Sequence, residues 1–316
     1  MSNKPSARQR SAPKSAQRSA PKSAQRSAPK SAQRGKPQQQ QRHKAQSKRN
    51  TILVISAVVV VLIGGVIAAI TAGGSSSSKS LAVPTGTEAA AIVTKVTTVP
   101  SSVIDAVGFG TVAAAPKALN GDALTDNGKP ALLYVGAEYC PFCAGERWAM
   151  VNALSRFGTF DKLSFTHSST SDVYPDTQTF SFYGSTYTSD YISFTGVETA
   201  TNQSTGNGGY KELEKLTAEQ QSVFQTAAPG GGFPFLDIGG RYLVAGASYD
   251  VSVLQGKTAG QIGDALSVAS TSISQGILGT ANTLAAAICT LTGDKPATVC
   301  NAAGVKAITQ LPPISS

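Results

Sequence analysis

The hydrophobic and polar positions divide the chain into a polar start, one continuous apolar stretch and a mixed remainder. Residues 51–70 (TILVISAVVVVLIGGVIAAI) contain no charged side chain. As a helix they would span about 30 Å, the thickness of a bilayer core. A cleaved signal peptide is the alternative, but its apolar core usually has only about 7–15 residues. We therefore expect a transmembrane helix over residues 51–72.

The segments on either side of this stretch carry no pattern that predicts a folded element. Residues 11–34 are three copies of the octapeptide Ser-Ala-Pro-Lys-Ser-Ala-Gln-Arg, without Leu, Ile, Val or an aromatic residue. Because such a sequence has almost no apolar surface to bury, residues 1–50 are expected to be a disordered tail. Residues 73–80 (GGSSSSKS) are typical of a flexible linker. Residues 81–316 remain as the folded domain.

The charge is distributed as unevenly as the hydrophobicity. The chain has 27 Lys and Arg against 18 Asp and Glu, and 14 of the basic residues but no acidic ones lie in residues 1–50. The domain is therefore mildly acidic, and no specific binding of nucleic acid is expected of it. Basic residues beside a first membrane span stay in the cytoplasm, where they contact the anionic lipid bilayer. We expect a single-pass protein of the cell membrane with a cytoplasmic N-terminus and an extracytoplasmic domain; a specific partner for the repeats is the alternative reading of the tail.

Within the domain, a buried strand, two cysteines and a helix follow one another. Residues 131–135 (ALLYV) form a short apolar run after a turn-forming segment, which indicates a strand. Cys140-Pro141-Phe142-Cys143 comes next. Apolar residues then recur at every third position as far as Phe157, and Gly158 is suited to end a helix. This order predicts both cysteines in the first turn of a helix.

A cysteine pair at that position has a chemical use. The free N–H groups and the positive end of the helix stabilise a thiolate at Cys140, which makes it the expected nucleophile. Cys143, one turn later, is placed to attack a mixed disulfide on Cys140 and release the partner. Half of a zinc site and an inert structural disulfide are the alternatives for this pair.

The other two cysteines, Cys289 and Cys300, lie near the C-terminus. Their spacing is outside the common range for zinc ligands, so no metal site is expected. An outer compartment permits disulfides, and pairing 140 with 143 and 289 with 300 is the most economical arrangement. We expect Cys289–Cys300 to be a structural disulfide, with a second redox pair as the alternative.

The segment from Ala137 to Cys143 resembles the active-site turn of the thioredoxin superfamily, with Tyr139 in place of the usual Trp. Residues 232–246 (GFPFLDIGGRYLVAG) resemble that superfamily's segment of cis-proline, strand, glycine turn and last strand. The resemblance implies an α/β, thioredoxin-like fold, with a central mixed sheet flanked by helices. It also implies that Pro234 is the cis-proline and that Phe233 faces the substrate. With Tyr139, Pro141 and Phe142 around the nucleophile, these are the expected substrate-binding residues.

The whole outer region also resembles a family of membrane-anchored thioredoxin-like proteins of unknown function from actinobacteria and archaea. The resemblance rests on residues 136–149 (GAEYCPFCAGERWA), on residues 179–184 and on the two C-terminal cysteines. Between the two thioredoxin-like segments, alternation over residues 179–201 predicts an inserted hairpin that turns around residues 184–190. Residues 211–226 are expected to form a helix, and the chain after the last strand a C-terminal helical extension.

One position departs from the thioredoxin pattern. The resemblance implies a buried acid six residues before the nucleophile, but Tyr134 stands there, and Glu138 and Glu146 are the nearest acids. Without that base, oxidation or isomerisation of disulfides is favoured over reduction.

The expected function is therefore that of a membrane-anchored protein thiol-disulfide oxidoreductase acting on secreted or envelope proteins. It needs no cofactor, but a membrane redox partner must recycle its cysteines. A non-catalytic envelope binding or scaffold protein with the same fold is the alternative.

Overall fold

The computed structural model describes residues 82–314. The expected tail (1–50), transmembrane helix (51–72) and linker (73–80) lie outside the described residues. The strands are β1 (Lys117–Ala118), β2 (Thr125–Asp126), β3 (Lys129–Gly136), β4 (Gly158–Asp161), β5 (Ser164–His167), β6 (Gln178–Ser181), β7 (Thr186–Ser189), β8 (Ser193–Glu198), β9 (Ala200–Ser204), β10 (Tyr210–Glu212), β11 (Phe235–Ile238) and β12 (Tyr242–Ala245). The helices are α1 (Gly86–Thr97), α2 (Ser101–Val107), α3 (Pro141–Leu154), α4 (Ala218–Ala227), α5 (Ala259–Ala265), α6 (Ser272–Thr292), α7 (Ala297–Cys300) and α8 (Ala303–Lys306), with a 3₁₀ turn at Val251–Leu254.

Strand β3 is the centre of a mixed sheet. On one side it pairs antiparallel with β11, which is followed by β12 and then β1. On the other side, residues Ala131 to Gly136 pair in parallel with Ser193 to Glu198 of β8. The first residues of β3 also form a short hairpin with β2. The chain is thus an α/β protein with a mixed sheet flanked by helices.

Both faces of β3 are covered, which explains its continuous apolar sequence. Leu132 and Tyr134 belong to the larger core, on the side of α3 and α6. Leu133 and Val135 point to the opposite face, where they join a smaller core against which Phe224 of α4 packs. Alternate residues of a strand face opposite sides of the sheet, so burial on both sides requires apolar residues at each position.

Helix α3 is buried over nearly its whole length between the sheet and α6. Its Trp148 is fully buried and donates from Nε1 to the carbonyl oxygen of Gln178 at 3.0 Å. Helix α6 is 21 residues long and ends at Thr292; Gly293 follows it with a left-handed φ of 63°. A residue without a Cβ is favoured there, which makes Gly293 a C-cap glycine.

Two predicted helices have different boundaries in the structure. Helix α3 ends at Leu154, and Gly158 instead begins β4, where a Cβ atom would lie 2.3 Å from the carbonyl oxygen of Thr188. The helix expected over residues 211–226 begins only at Ala218. Thr217 and Gln220 form a capping box there, with each side chain bonded to the other residue's backbone N–H.

The predicted hairpin around residues 184–190 was wrong. Strand β6 precedes that segment and β7 lies within it, but β6 pairs with β5 and β7 pairs with β4. Pairing with strands that precede the segment buries Phe180 and Phe182 in the larger core, and this outweighs the local turn signal. Lys211 and Glu212, expected in a helix, lie in β10, which pairs antiparallel with β9.

Within residues 82–314 no single helix has both the length and the apolar character needed to cross a membrane. The pair α1 and α2, bent by 59°, meets that test by length and composition only when the two helices are taken together.

Candidate functional site

The two free cysteines lie just beyond the C-terminal end of β3, where α3 begins. Cys140 is the N-cap residue of α3, and its sulfur accepts the backbone N–H of Cys143 at 3.2 Å. An N-cap side chain normally supplies an oxygen for this bond, and here a sulfur takes its place. Pro141, at the first helical position, has no N–H that would need a partner. The sequence therefore places Cys140 at the helix end where a negative charge is favoured.

The surroundings make the two thiols unequal. The Cys143 thiol donates a hydrogen bond to the Cys140 sulfur, and this bond is the main cause of a lowered pKa at Cys140; the backbone N–H groups of Cys143 and Phe142 add to it. Burial raises the pKa of the Cys143 thiol well above its ordinary value. Cys140 is therefore the more acidic of the two thiols. A nucleophile and a resolving thiol need this division of roles.

Four aromatic side chains, Tyr139, Phe142, Tyr174 and Tyr210, form an aromatic rim beside Cys140. Phe142 is 41 % exposed and meets Tyr174 edge to face, with ring centroids 5.9 Å apart. Tyr139 stacks on Tyr210 with centroids 4.1 Å apart. Ser169 holds the second pair in place, because it donates its N–H to the carbonyl oxygen of Tyr139 and accepts a hydrogen bond from the hydroxyl of Tyr210. An exposed apolar ring beside a nucleophile is a suitable contact for a polypeptide.

The segment of residues 232–246 reaches the same edge of the sheet. The Phe233–Pro234 peptide bond is cis. Phe235 pairs with Val135, so in this antiparallel register Pro234 lies opposite Gly136, the last residue of β3. The carbonyl oxygen of Pro234 accepts the N–H of Gly246 at 2.9 Å, and the Phe233 ring stacks on Phe224 of α4. Register thus brings Pro234 to the sheet edge that carries the cysteines.

Arg147 and Glu198 form a buried ion pair close to the cysteines. Arg147 lies one helical turn after Cys143, and Glu198 ends β8. The guanidinium binds both carboxylate oxygens, Nε to Oε1 at 2.8 Å and Nη2 to Oε2 at 2.6 Å. Nη2 also donates to the carbonyl oxygen of Ala137 at 2.7 Å. The positive charge of Arg147 acts to lower the pKa of both cysteine thiols.

Tyr134 occupies the position where the resemblance placed a buried acid. Its side chain is fully buried, and its hydroxyl has no hydrogen-bond partner. The phenol reaches along β3 as far as Gly136, where an added Cβ would come within 2.1 Å of the hydroxyl oxygen. Gly136 therefore leaves the space that lets Tyr134 extend toward the cysteine-bearing turn.

The two acids closest in sequence have other partners. Glu138 accepts a hydrogen bond from the hydroxyl of Ser181 at 2.7 Å. The fully buried Glu146 accepts two from Ser248, one from its N–H at 2.9 Å and one from its hydroxyl at 3.0 Å. Burial raises the pKa of Glu146 to about 7.

Cys289, near the end of α6, and Cys300, in α7, are joined by the expected disulfide, with Cα atoms 5.6 Å apart. Both residues are buried. Their sulfurs are thus not free to complete a zinc site with Cys140 and Cys143. In the part of the chain that the structure describes, no three His, Cys, Asp or Glu side chains come together as a metal site.

Sequence reasoning found the cysteines and the cis-proline but gave no role to Arg147, Glu198, Tyr174 or Tyr210. Of these four, only Arg147 could have been found from the sequence. It lies four residues after Cys143, and residues four apart on a helix lie on the same face. Glu198 is 51 residues from Arg147 in the chain. A pairing over that distance has no local signature.

The fold and the site define an α/β protein with an unequal cysteine pair at a helix N-terminus. The chain belongs to the family described as Domain of unknown function (DUF929), whose model matches residues 116–290. That range includes β3, the CPFC turn, the cis-proline and most of α6. Comparison with curated proteins gave no match. Comparison with solved structures likewise gave none.

Proposed function

We propose that this protein is a protein thiol-disulfide oxidoreductase with a thioredoxin-like arrangement, in which Cys140 is the nucleophile and Cys143 the resolving cysteine. The observation that carries the proposal is the unequal thiol pair at the start of α3, with a lowered pKa at Cys140 and a raised one at Cys143. The cis Phe233–Pro234 bond at the same sheet edge supports it. A structural disulfide or a zinc half-site has no need of that asymmetry.

In the oxidising direction, a substrate thiolate attacks the Cys140 sulfur of the Cys140–Cys143 disulfide. The Cys140–Cys143 bond breaks, a substrate–Cys140 disulfide forms, and Cys143 leaves as a thiolate with the electron pair. A second substrate thiolate then attacks the substrate sulfur and releases Cys140. The substrate has lost two electrons and two protons, which the two cysteines now hold as thiols. Isomerisation starts from the reduced pair: the Cys140 thiolate attacks a substrate disulfide and forms a mixed disulfide, and another substrate thiolate then re-forms a substrate disulfide and releases Cys140. Cys143 resolves a stalled intermediate by attacking Cys140, which leaves the substrate reduced and the Cys140–Cys143 disulfide formed.

The preferred direction is oxidation or isomerisation. Hydrogen bonds that stabilise the Cys140 thiolate stabilise the reduced protein, and a stable reduced form makes the corresponding disulfide a stronger oxidant. Equilibration with glutathione should give a reduction potential less negative than the roughly −270 mV of thioredoxin. A value at or below that figure would instead assign a reducing role.

The substrates we propose are secreted or envelope proteins. The charge-free stretch at residues 51–70 and the basic residues before it support a single-pass cell-membrane protein whose domain lies outside the cytoplasm. The aromatic rim suits the binding of an exposed apolar segment next to a substrate cysteine. A redox partner in the membrane would restore the starting state of the cysteines after each turnover.

Trapping of mixed disulfides tests the proposal. In the full-length chain, Cys143→Ser should accumulate disulfide-linked complexes with envelope proteins through Cys140, because the resolving thiol is absent. The double variant Cys140→Ser/Cys143→Ser is the matched control and should trap nothing. If Cys143→Ser traps no protein and the wild type neither oxidises a model dithiol peptide nor isomerises a peptide with mispaired disulfides, the protein is a binding or scaffold module instead.

A further inference from the structure

We propose that the Tyr134 hydroxyl and the Arg147 guanidinium form a buried binding site for the thiolate of Cys143. The inference deepens the proposed function and rests on it for its biological meaning. Both groups are hydrogen-bond donors that the folded chain has buried without using them fully. The Tyr134 hydroxyl has no partner, and neither does Nη1 of Arg147.

Unused donors at such a depth need an explanation. A buried polar group without a hydrogen bond is destabilising, and most buried side-chain donors are paired. Arg147 uses Nε and Nη2 on Glu198 and Ala137, so the whole guanidinium is held in place while Nη1 stays free. Two such donors, fixed and unpaired, form a site that is complete only when an anion is present.

The group that can supply this anion is the thiol of Cys143. Arg147 follows Cys143 by one turn of the same helix, and the Tyr134 phenol extends along β3 past Gly136 toward the turn that carries the cysteines. Ala137 lies beside both groups, because its carbonyl oxygen accepts from Arg147 and its backbone acts to lower the pKa of the Cys143 thiol against the larger effect of burial. The guanidinium also lies over the Tyr134 ring, 5.9 Å from its centroid. Charge interactions couple Cys143 to both Tyr134 and Arg147.

A thiolate site fits the chemistry of a buried leaving group. When a substrate thiolate attacks Cys140, the Cys140–Cys143 bond breaks and the negative charge appears on the Cys143 sulfur, away from water. Two donors, one of them cationic, stabilise that charge before a proton reaches it from the second substrate thiol. A carboxylate in place of Tyr134 would repel the charge and act instead as a base toward the Cys143 thiol. The two arrangements therefore favour opposite directions of exchange.

The direct test is the pKa of Cys143. In full-length protein with Cys140→Ser, Cys143 is the one free thiol, and the ¹³C shift of its labelled Cβ reports its ionisation; the disulfide-bonded cysteines do not titrate. Tyr134→Phe removes only the unpartnered hydroxyl and should raise the pKa of Cys143 by about one pH unit. Tyr249→Phe is the matched control, because Tyr249 is another buried tyrosine that contacts α3, where its hydroxyl donates to the carbonyl oxygen of Gly145. It should leave the pKa of Cys143 unchanged.

The effect of the Arg147 guanidinium on Cys143 is tested by removing it together with its counter-ion, Glu198. Arg147→Met/Glu198→Met removes the ion pair as a unit and should raise the pKa of Cys143. Arg147→Lys keeps the positive charge, so its Cys143 should have a pKa close to that of the wild type. Should the double variant not fold, Tyr134→Phe still decides the matter, since it deletes a group that bonds to nothing.

A kinetic readout uses the cysteine pair itself. With Cys140 present, dithiothreitol reduces the Cys140–Cys143 disulfide and expels Cys143. Because a thiol of higher pKa leaves more slowly, the reduction of Tyr134→Phe should be severalfold slower than that of the wild type. An unchanged rate together with an unchanged pKa overturns the proposal. Neither measurement uses a biological substrate, so each result stands even if no envelope protein is trapped.

Discussion

Arg147 in α3 and Glu198 at the end of β8 are joined by two parallel hydrogen bonds of 2.8 and 2.6 Å, and both side chains are wholly buried. The pair fastens the cysteine-bearing helix to the parallel neighbour of β3. Removing two charges from water is costly, and the paired geometry offsets that cost. The position of α3 relative to the sheet edge therefore depends on this contact.

Breaking the pair should be more harmful than deleting it. Arg147→Met leaves the Glu198 carboxylate buried without a partner and should lower the free energy of unfolding by about 3–5 kcal/mol. Arg147→Met/Glu198→Met should recover most of that loss. Urea denaturation of the two variants measures the difference.

The exposed ion pair Lys95–Asp264 is the control, because it shows what the loss of a paired positive charge costs at the surface. Lys95→Met should change the free energy of unfolding by less than about 1 kcal/mol. A loss of that small size in Arg147→Met as well would mean that the buried pair does not hold α3 in place.

The two thiols should react at different pH. Cys140 should be alkylated by iodoacetamide near neutral pH, whereas Cys143 should stay unmodified, because the pKa of Cys140 is lowered and that of Cys143 is raised. Mass spectrometry of the reduced protein distinguishes the two sites.

The hydrogen bond between the thiols can be tested with a matched pair of variants. Cys143→Ser keeps a donor to the Cys140 sulfur, and Cys143→Ala removes it. The pKa of Cys140 should be higher in Cys143→Ala than in Cys143→Ser. Equal values would show that the backbone N–H groups alone account for the reactivity of Cys140.

Glu146 should make the fold less stable as the pH rises. Its pKa is about 7 in the folded protein against an ordinary 4.5, because burial disfavours its charged form. The folded state thus binds the proton more tightly, so this stability is full below pH 4.5 and is lost as the pH rises through 7. The change corresponds to about 3 kcal/mol.

Glu146→Gln should abolish this contribution, because the amide keeps an oxygen for Ser248 and does not ionise. Urea denaturation at pH 5 and pH 8 gives the free energy of unfolding of wild type and variant, and the change in their difference between the two pH values is the contribution of Glu146. Parallel behaviour of the two proteins would mean that the carboxyl of Glu146 has an ordinary pKa in the folded state. Glu88→Gln, in the first turn of α1, controls for the loss of a charge elsewhere.

The Cys289–Cys300 disulfide should contribute stability and leave exchange unaffected. It closes a loop over a sequence separation of 11 residues. Such a loop constrains the unfolded chain by about 2–3 kcal/mol in the chain-entropy treatment. Cys289→Ala/Cys300→Ala should lower the free energy of unfolding by that amount and oxidise a dithiol peptide at the wild-type rate. A large loss of exchange in a folded double variant would instead identify a second redox pair.

Phe142 should matter for protein substrates and little for small ones. Its ring is exposed beside Cys140 and packs edge to face on Tyr174. Phe142→Ser removes that apolar contact and should raise KM for a dithiol peptide severalfold, with a rate toward dithiothreitol close to that of wild type. Val268→Ser, which removes an exposed apolar side chain after α5, is the control. Equal losses toward peptide and dithiothreitol would mean that Phe142 supports the geometry of the turn instead.

The sequence by itself determined the features whose causes are local. The strand before the cysteines, the start of α3 at Pro141 and the disulfide between Cys289 and Cys300 follow from hydrophobic pattern, capping and spacing over a few residues. Even Tyr134 could be singled out, because its position relative to Cys140 is fixed by counting along β3 and the turn.

Only the tertiary structure decided which distant groups meet. The chain gives no local sign that Glu198 pairs with Arg147, that Tyr210 stacks on Tyr139, or that β6 and β7 pair with the strands before them. These contacts depend on how the sheet registers and on which apolar residues reach the core, and both are set by the whole fold. The reactivity of Cys140 and Cys143 depends on burial and neighbouring charge, so it too was decided by the folded chain.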